Sequence, residues 1–260
     1  MKVALCAIAK NEDNYVDEWI RYHLNIGVDH IFLNDNNDKD HPILTINDNR
    51  VTVIDVRGYK YIQNSTYTDC FNKYHDEYDW FIFIDLDEFI MLSDKYNNDI
   101  KKFLNEEFFK NVNIIRLNWK HFGDSELLES NGDYRVVDRF LKPIKHYKDI
   151  FAKSIISNRL NKNIKINCHG YYGASAVDCE GNRCFNTSCN ASKVPLYTNA
   201  WINHYATKTI EEYIRQKYFR GDATSKLLDN KYSLDHFFEY NERSIEKEEY
   251  AKKLISSLSK

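Results

Sequence analysis

Glycine and proline are scarce in this chain, 8 and 3 among 260 residues. That scarcity excludes a collagen-like or linker-rich polypeptide, and a hydrophobic content of 43% argues against disorder. No apolar run reaches the roughly 18 residues that cross a bilayer. The opening stretch Val3 to Ile8 meets Lys10 and Glu12 too soon for a secretory signal, so a cytoplasmic protein without a transmembrane segment is expected. Charge of one sign is missing too: 36 basic residues against 39 acidic leave a formal net charge of −3. This balance predicts no nucleic-acid partner, and any binding must come from local clusters. No C-x-x-C pair occurs among the six cysteines, four of which (Cys168, Cys179, Cys184 and Cys189) fall in one polar stretch. Their spacing is not that of a zinc knuckle, and reduced thiols fit it better than a structural zinc site.

What the chain has in quantity is aromatic residues and short apolar runs. Its 19 Tyr and 15 Phe can fill a core or stack on sugars, the core being the commoner use. Val3 to Ile8 reads as a buried strand; Val16, Trp19, Ile20, Leu24 and Ile26 recur at helical spacing over Asp13 to Ile26, and Gly27 stops that helix. His30 to Leu33 and Val51 to Val56 are further strands, Asn64 to Tyr78 a second helix, and Trp80 to Ile84 a wholly apolar strand. A helix over Asp99 to Phe109 and strands over Val112 to Asn118 and Phe151 to Ile156 come next. Trp201 to Tyr205, an amphipathic helix over Thr209 to Phe219 and a charged helix over Ser244 to Leu258 complete the pattern. Strand and helix in alternation predict an α/β fold, a mostly parallel sheet flanked by helices. Residues 1–220 form that domain, and residues 221–260 a C-terminal helical extension. Ligands of such sheets sit at the carboxyl ends of the strands, where Asn11, Glu12, Asp35, Asp85 and Asp87 gather on one rim.

The apolar strand Trp80 to Ile84 runs straight into Asp85-Leu86-Asp87. Two carboxylates at the mouth of a buried strand are costly unless a cation offsets them. Alternation along an extended segment would aim Asp85 and Asp87 to one side, with Leu86 in the core. Hard oxygen ligands in this pattern suit Mn²⁺ or Mg²⁺, with coordination positions left for phosphate oxygens. A surface turn is the competing explanation, and the five apolar residues before the motif weigh against it.

Several segments together carry a resemblance. Ala7-Ile8-Ala9-Lys10-Asn11-Glu12, then Glu18-Trp19 with His23 and Gly27-Val28-Asp29-His30, then Trp80 through Phe89, are similar to the GT-A glycosyltransferases of the family 92 and "glycosyltransferase family 2-like" type. Trp119 with Phe122-Gly123, and His204-Tyr205 with Lys208, extend the resemblance to about residue 220. It implies a GT-A fold, a nucleotide-sugar donor with UDP foremost, and Mn²⁺ or Mg²⁺ under the diphosphate. It also implies that Ala9, Lys10 and Asn11 lie by the nucleoside, Asp35 at the base or ribose, Asp85 near ribose and metal, and Asp87 on the metal. His204 matches a C-terminal histidine that many such enzymes place on the metal; a core histidine bonded to a backbone carbonyl is the alternative. Galactose from UDP-galactose is the first sugar it suggests, and polysaccharide biosynthesis the setting.

Breaking the anomeric bond of such a donor leaves a diphosphate that a cation and Lys208 would stabilise. Lys217 and Arg220 read better as a solvated helix face. An inverting transfer to a saccharide or glycolipid acceptor needs a base, and Asp124 and Glu126 after Trp119-Lys120-His121-Phe122-Gly123 are the candidates, with Trp119 as a stacking platform for the acceptor sugar. Asp124 as an exposed loop residue, and Asp178 as a rival base, stay open. The closing helix with Lys252, Lys253 and Lys260 allows peripheral contact with the inner face of a membrane, though a solvated helix fits it better. Two other functions compete: a haloacid-dehalogenase-like phosphatase, whose first Asp attacks phosphorus, and a non-catalytic carbohydrate-binding module. The residues after Asp87 do not match the first, and the second has no use for acids behind a buried strand.

Overall fold

A computed structural model describes residues 1–43, 46–184, 189, 191, 193–219 and 232–259. Its element order begins β1 (Val3–Ala9), α1 (Asp13–Asn25), β2 (His30–Asp35), β3 (Val51–Asp55), α2 (Gln63–Tyr74), β4 (Trp80–Phe83) and β5 (Glu88–Leu92). After α3 (Ile100–Leu104) come β6 (Ile114–His121), β7 (Ala152–Ser157), the short strands β8 (Ala176–Val177) and β9 (Arg183–Cys184), and β10 (Ala200–His204). Helix α4 (Ile210–Tyr213) runs on into a π-helical turn, Ile214–Tyr218, and α5 (Leu234–Phe238) and α6 (Ile245–Leu258) close the chain. The α/β class and the sheet flanked by helices are as expected. No helix among the described residues is long and apolar enough to cross a membrane.

The sheet runs β3-β2-β1-β4-β7-β6-β10-β5, with β8 and β9 attached to β6. Its first four strands are all parallel. Beyond β4 the directions mix: β7 is antiparallel to both β4 and β6, β10 is parallel to β6, and β5 is antiparallel to β10. Strand β6 changes partner along its length, pairing with β7 through Ile114 to Asn118 and with β10 through Trp119 to His121. Strands β4 and β5 are neighbours in sequence yet four strand gaps apart in the order, roughly 19 Å across a flat sheet. A tight turn joins them, in which the Glu88 N–H donates to Asp85 O at 3.1 Å. The sheet therefore curls, and β5 returns beside the end of β4.

Helix α1 shows why the first half is legible. Tyr15, Val16, Trp19, Ile20, His23 and Leu24 make its buried face, and Gly27 at φ +99° takes the left-handed conformation that ends it. Two expected helices are shorter than their patterns. The segment expected as one helix over 99–109 splits into α3, capped by the Asp99 carboxylate, and a 3-10 turn at Glu107–Phe109. Helix α2 ends at Tyr74. The last helices share a small core of Ile210, Tyr213, Ile214, Phe237 and Ala251.

Candidate functional site

Between β4 and β5 the Asp85-Leu86-Asp87 segment is a turn, so the alternation expected of an extended strand does not apply. Glu88 closes it twice, donating its N–H to Asp85 O and accepting the Asp85 N–H on Oε2 at 3.1 Å. Trp19 of α1 clamps it from below, donating Nε1–H to Asp85 O at 3.1 Å and to Glu88 O at 2.9 Å. Tyr205, just past β10, donates its N–H to Asp87 O at 2.8 Å. The two aspartates consequently meet different partners. Asp85 Oδ1 accepts from Gln63 Nε2 at 2.5 Å and Tyr67 OH at 3.2 Å, and Oδ2 lies 2.7 Å from Lys153 Nζ on β7. Asp87 Oδ2 accepts from Lys217 Nζ at 2.6 Å, and its Oδ1 faces His204 Nε2 at 3.7 Å.

Asp87, Glu88 and His204 each offer a ligand atom within 4.8 Å of the others, and all three residues are buried. Asp85, expected near both ribose and metal, lies outside this group, its carboxylate being engaged by α2 and β7. Glu88, which no sequence motif singled out, enters it. Glu88 Oε1 is buried without a hydrogen-bond partner, Lys153 Nζ standing 3.5 Å away. The set fits a hard divalent cation: two carboxylates and one imidazole, with one Glu88 oxygen that makes no hydrogen bond and has only the Lys153 ammonium at 3.5 Å for a charge partner.

The electrostatics run in both directions. Burial opposes charge on Asp87, yet the Lys217 ammonium, with Lys208 beyond it, holds its carboxyl well below the usual range. Burial pushes Glu88 well above it. Burial would strip the proton from Lys153, but Asp85 and Glu88 outweigh burial and keep it charged. His204 is driven well below its ordinary value by burial, so its imidazole is neutral and can act as a ligand.

Lys217 corrects the expectation of a solvated helix face. It is 6% exposed, and besides Asp87 it donates to Ala206 O at 2.7 Å. Its position carried the signal: Ile210, Tyr213 or Ile214, and Lys217 recur at helical spacing on one buried stripe. Arg220 lies outside the described residues.

A glycosyltransferase family 92 model matches residues 2–215. The chain belongs to glycosyltransferase family 92. A family 92 protein of Ricinus communis is 27% identical over 232 residues, 86% of this chain and 38% of its own length. Another from Oryza sativa subsp. japonica is 29% identical over 92 residues, 34% of this chain and 16% of its own. The chain thus spans well under half the length of these curated relatives. A crystal structure of S. aureus TarS 1-349 aligns over 98% of this chain and 71% of its own at 9% identity, with a TM-score of 0.37, too low to carry weight here.

The remaining residues expected in a family 92 site fall into three groups. At the end of β1, Ala9 O accepts from Asn36 N–H, Lys10 Nζ sits 3.8 Å from Asp38, and Asn11, at φ +57°, donates its N–H to Asn37 Oδ1 at 2.7 Å. Asp35 is buried beside them, but both its oxygens are taken by backbone N–H groups, Asn37 at 3.0 Å and Ile43 at 2.9 Å. Lys208 bridges toward this end, its Nζ 3.8 Å from Glu12 Oε2 and 4.3 Å from the centre of the Tyr15 ring. Trp119 is buried beside the metal-ligand group, its ring centre 4.4 Å from that of His204, and its Nε1 has no hydrogen-bond partner.

The candidate bases separate. Asp124 is 5% exposed rather than a free loop residue; Lys247 Nζ of α6 lies 2.5 Å from its Oδ2, and Asn241 Oδ1 accepts its N–H at 2.6 Å. Glu126 points to solvent and pairs with Lys142 at 2.7 Å. Asp178 is spent inside the β8–β9 hairpin, accepting the N–H groups of Glu180 and Asn182. Among the described residues, the cysteine stretch forms no metal-ligand group.

Proposed function

We propose that this chain transfers a hexose from a nucleoside-diphosphate sugar to a saccharide or glycolipid acceptor with a divalent cation, Mn²⁺ or Mg²⁺, held by Asp87, Glu88 and His204. The observation that carries this reading is the buried two-carboxylate, one-imidazole group in a member of a glycosyltransferase family. When bound, the cation supplies positive charge to the diphosphate as the anomeric bond breaks.

The chain's own residues do the rest. Asp87 stays ionised, so it is a ligand rather than a proton donor. Lys217, on Asp87 Oδ2, and Lys208 supply two ammonium groups to the field at Asp87, and on arrival of a donor they turn to phosphate oxygens, which bring more negative charge than the carboxylates they leave. Ala9, Lys10 and Asn11 line the nucleoside end. The closed hydrogen bonding of Asp35 favours a structural task there over contact with the ribose. Asp124 is the base for an inverting transfer, being buried next to β6 where Glu126 is not; it acts once Lys247 gives up its carboxylate. UDP-galactose is the first donor to test.

The deciding experiment incubates a panel of UDP- and GDP-sugars with the protein in Mn²⁺, in Mg²⁺ and in excess chelator, following release of nucleoside diphosphate. Metal-dependent release from one donor is expected. Release that is unaffected by chelator contradicts the metal role, saccharide binding without turnover of any donor favours the binding-module alternative, and cleavage of a simple phosphomonoester favours the phosphatase.

A further inference from the structure

Strands β6 and β10 run parallel with His121 opposite His204, so the two side chains share a face. His204 Nδ1 lies 3.1 Å from His121 Nε2, and His121 Nδ1 lies 2.6 Å from Asp149 Oδ1. Asp149 is itself fixed: Oδ1 accepts the His121 N–H at 3.3 Å, and Oδ2 accepts the His146 N–H at 3.1 Å. His121 is fully buried and has no role in the reaction described above.

Proton counting along this row leaves one arrangement. A carboxylate only accepts, so the Asp149 contact requires the proton of a neutral His121 on Nδ1. His121 Nε2 then has a lone pair, and the 3.1 Å contact to it requires the His204 proton on Nδ1. His204 Nε2 is left with a lone pair aimed at Asp87 Oδ1, 3.7 Å away. Two electron-rich atoms facing each other across that gap are stabilised by a cation between them.

We infer that His121 and Asp149 are positioning residues which lock His204 into the Nδ1–H tautomer, turning its Nε2 lone pair toward the metal-ligand group. This deepens the proposed metal site and rests on it. It extends the usual arrangement, in which a ligating histidine donates its second N–H directly to a carboxylate or carbonyl, by one more imidazole.

Long-range ¹H–¹⁵N correlation spectra of the metal-free full chain report each imidazole's tautomer directly. His204 and His121 are expected as Nδ1–H; an Nε2–H His204 overturns the inference whether or not metal binds. A His204 in the expected tautomer with no Mn²⁺ binding leaves the relay standing and sinks the metal reading instead. His121→Phe removes the acceptor for His204 Nδ1–H and is expected to weaken Mn²⁺ binding by calorimetry about 10- to 100-fold. His121→Gln, whose amide oxygen reaches the same point, is expected to restore most of it. Equal affinity in wild type and His121→Phe, or equal loss in both variants, counts against the positioning role.

Discussion

Asp35 and Asp87 are both buried carboxylates at the polar ends of core strands, and they are satisfied in opposite ways. Asp35 accepts two backbone N–H groups of its own loop, so its charge organises residues 35–43 and both its oxygens are bound to the backbone. Asp87 meets an ammonium on one oxygen and a neutral imidazole on the other. The first site is closed because a backbone N–H group holds each oxygen, the Arg57 guanidinium 3.7 Å from Oδ2 adding only charge. The second has only side-chain partners, which in the proposed function turn away as a cation or phosphate replaces them. Burial alone therefore does not distinguish the two acids; what does is that backbone N–H groups hold both oxygens of Asp35 and neither side-chain oxygen of Asp87.

The largest effect that would break this contrast is at Asp87. Asp87→Ala is expected to lower transfer by at least about 10³-fold, the scale of losing a principal electrostatic stabiliser; steady-state rates near the wild-type value would place the metal elsewhere. Asp35→Ala is expected to act on stability instead. Two buried N–H groups lose their acceptor, at about 1–3 kcal/mol each, which urea denaturation measures, while the Mn²⁺ dissociation constant stays put. A change in Mn²⁺ affinity without a change in stability would reverse the two roles.

The strand-end placement of the acids was visible in the sequence because an apolar run directly before two aspartates has few explanations, and α1 was visible from its spacing. The partners were not. Glu88 sits beside the motif, but it neighbours His204 only through the antiparallel register of β5 with β10, which sets the two residues opposite each other. Lys217 was masked by its charge although it lies on the apolar stripe of its helix. His121 and Asp149 meet His204 only through the register of β6 with β10 and the packing of the 146–150 turn, neither of which a local pattern encodes. Asp35 looked like a binding residue because strand-end acids do; its backbone partners, two and eight residues ahead, belong to a loop no motif predicts.

A smaller effect concerns acid. His23, fully buried in α1, is pushed by burial down to about 3 from an ordinary 6.5. Its contribution is complete above pH 6.5 and is lost as pH falls toward 3, because the unfolded chain takes up a proton that the native state refuses. The loss is about 1.4 kcal/mol per pH unit. Between pH 7 and pH 5 the wild type is therefore expected to lose about 2 kcal/mol more than His23→Phe in denaturant titrations; equal losses would show that His23 does not resist protonation. The smallest effect is at Glu126. Glu126→Gln removes only an exposed ion pair with Lys142, and both transfer rate and stability are expected to stay within about 0.5 kcal/mol of wild type. A large rate loss would restore it as a candidate base.

Calorimetric titration of Mn²⁺ into the wild-type protein and into Asp87→Ala, each with and without UDP, tests the proposed metal site most directly. Saturable binding by the wild type that UDP tightens, and its loss in an Asp87→Ala variant that still folds cooperatively, though less stably for its unpaired Lys217, is the expected result. Undiminished binding by Asp87→Ala, or none by the wild type, would contradict it.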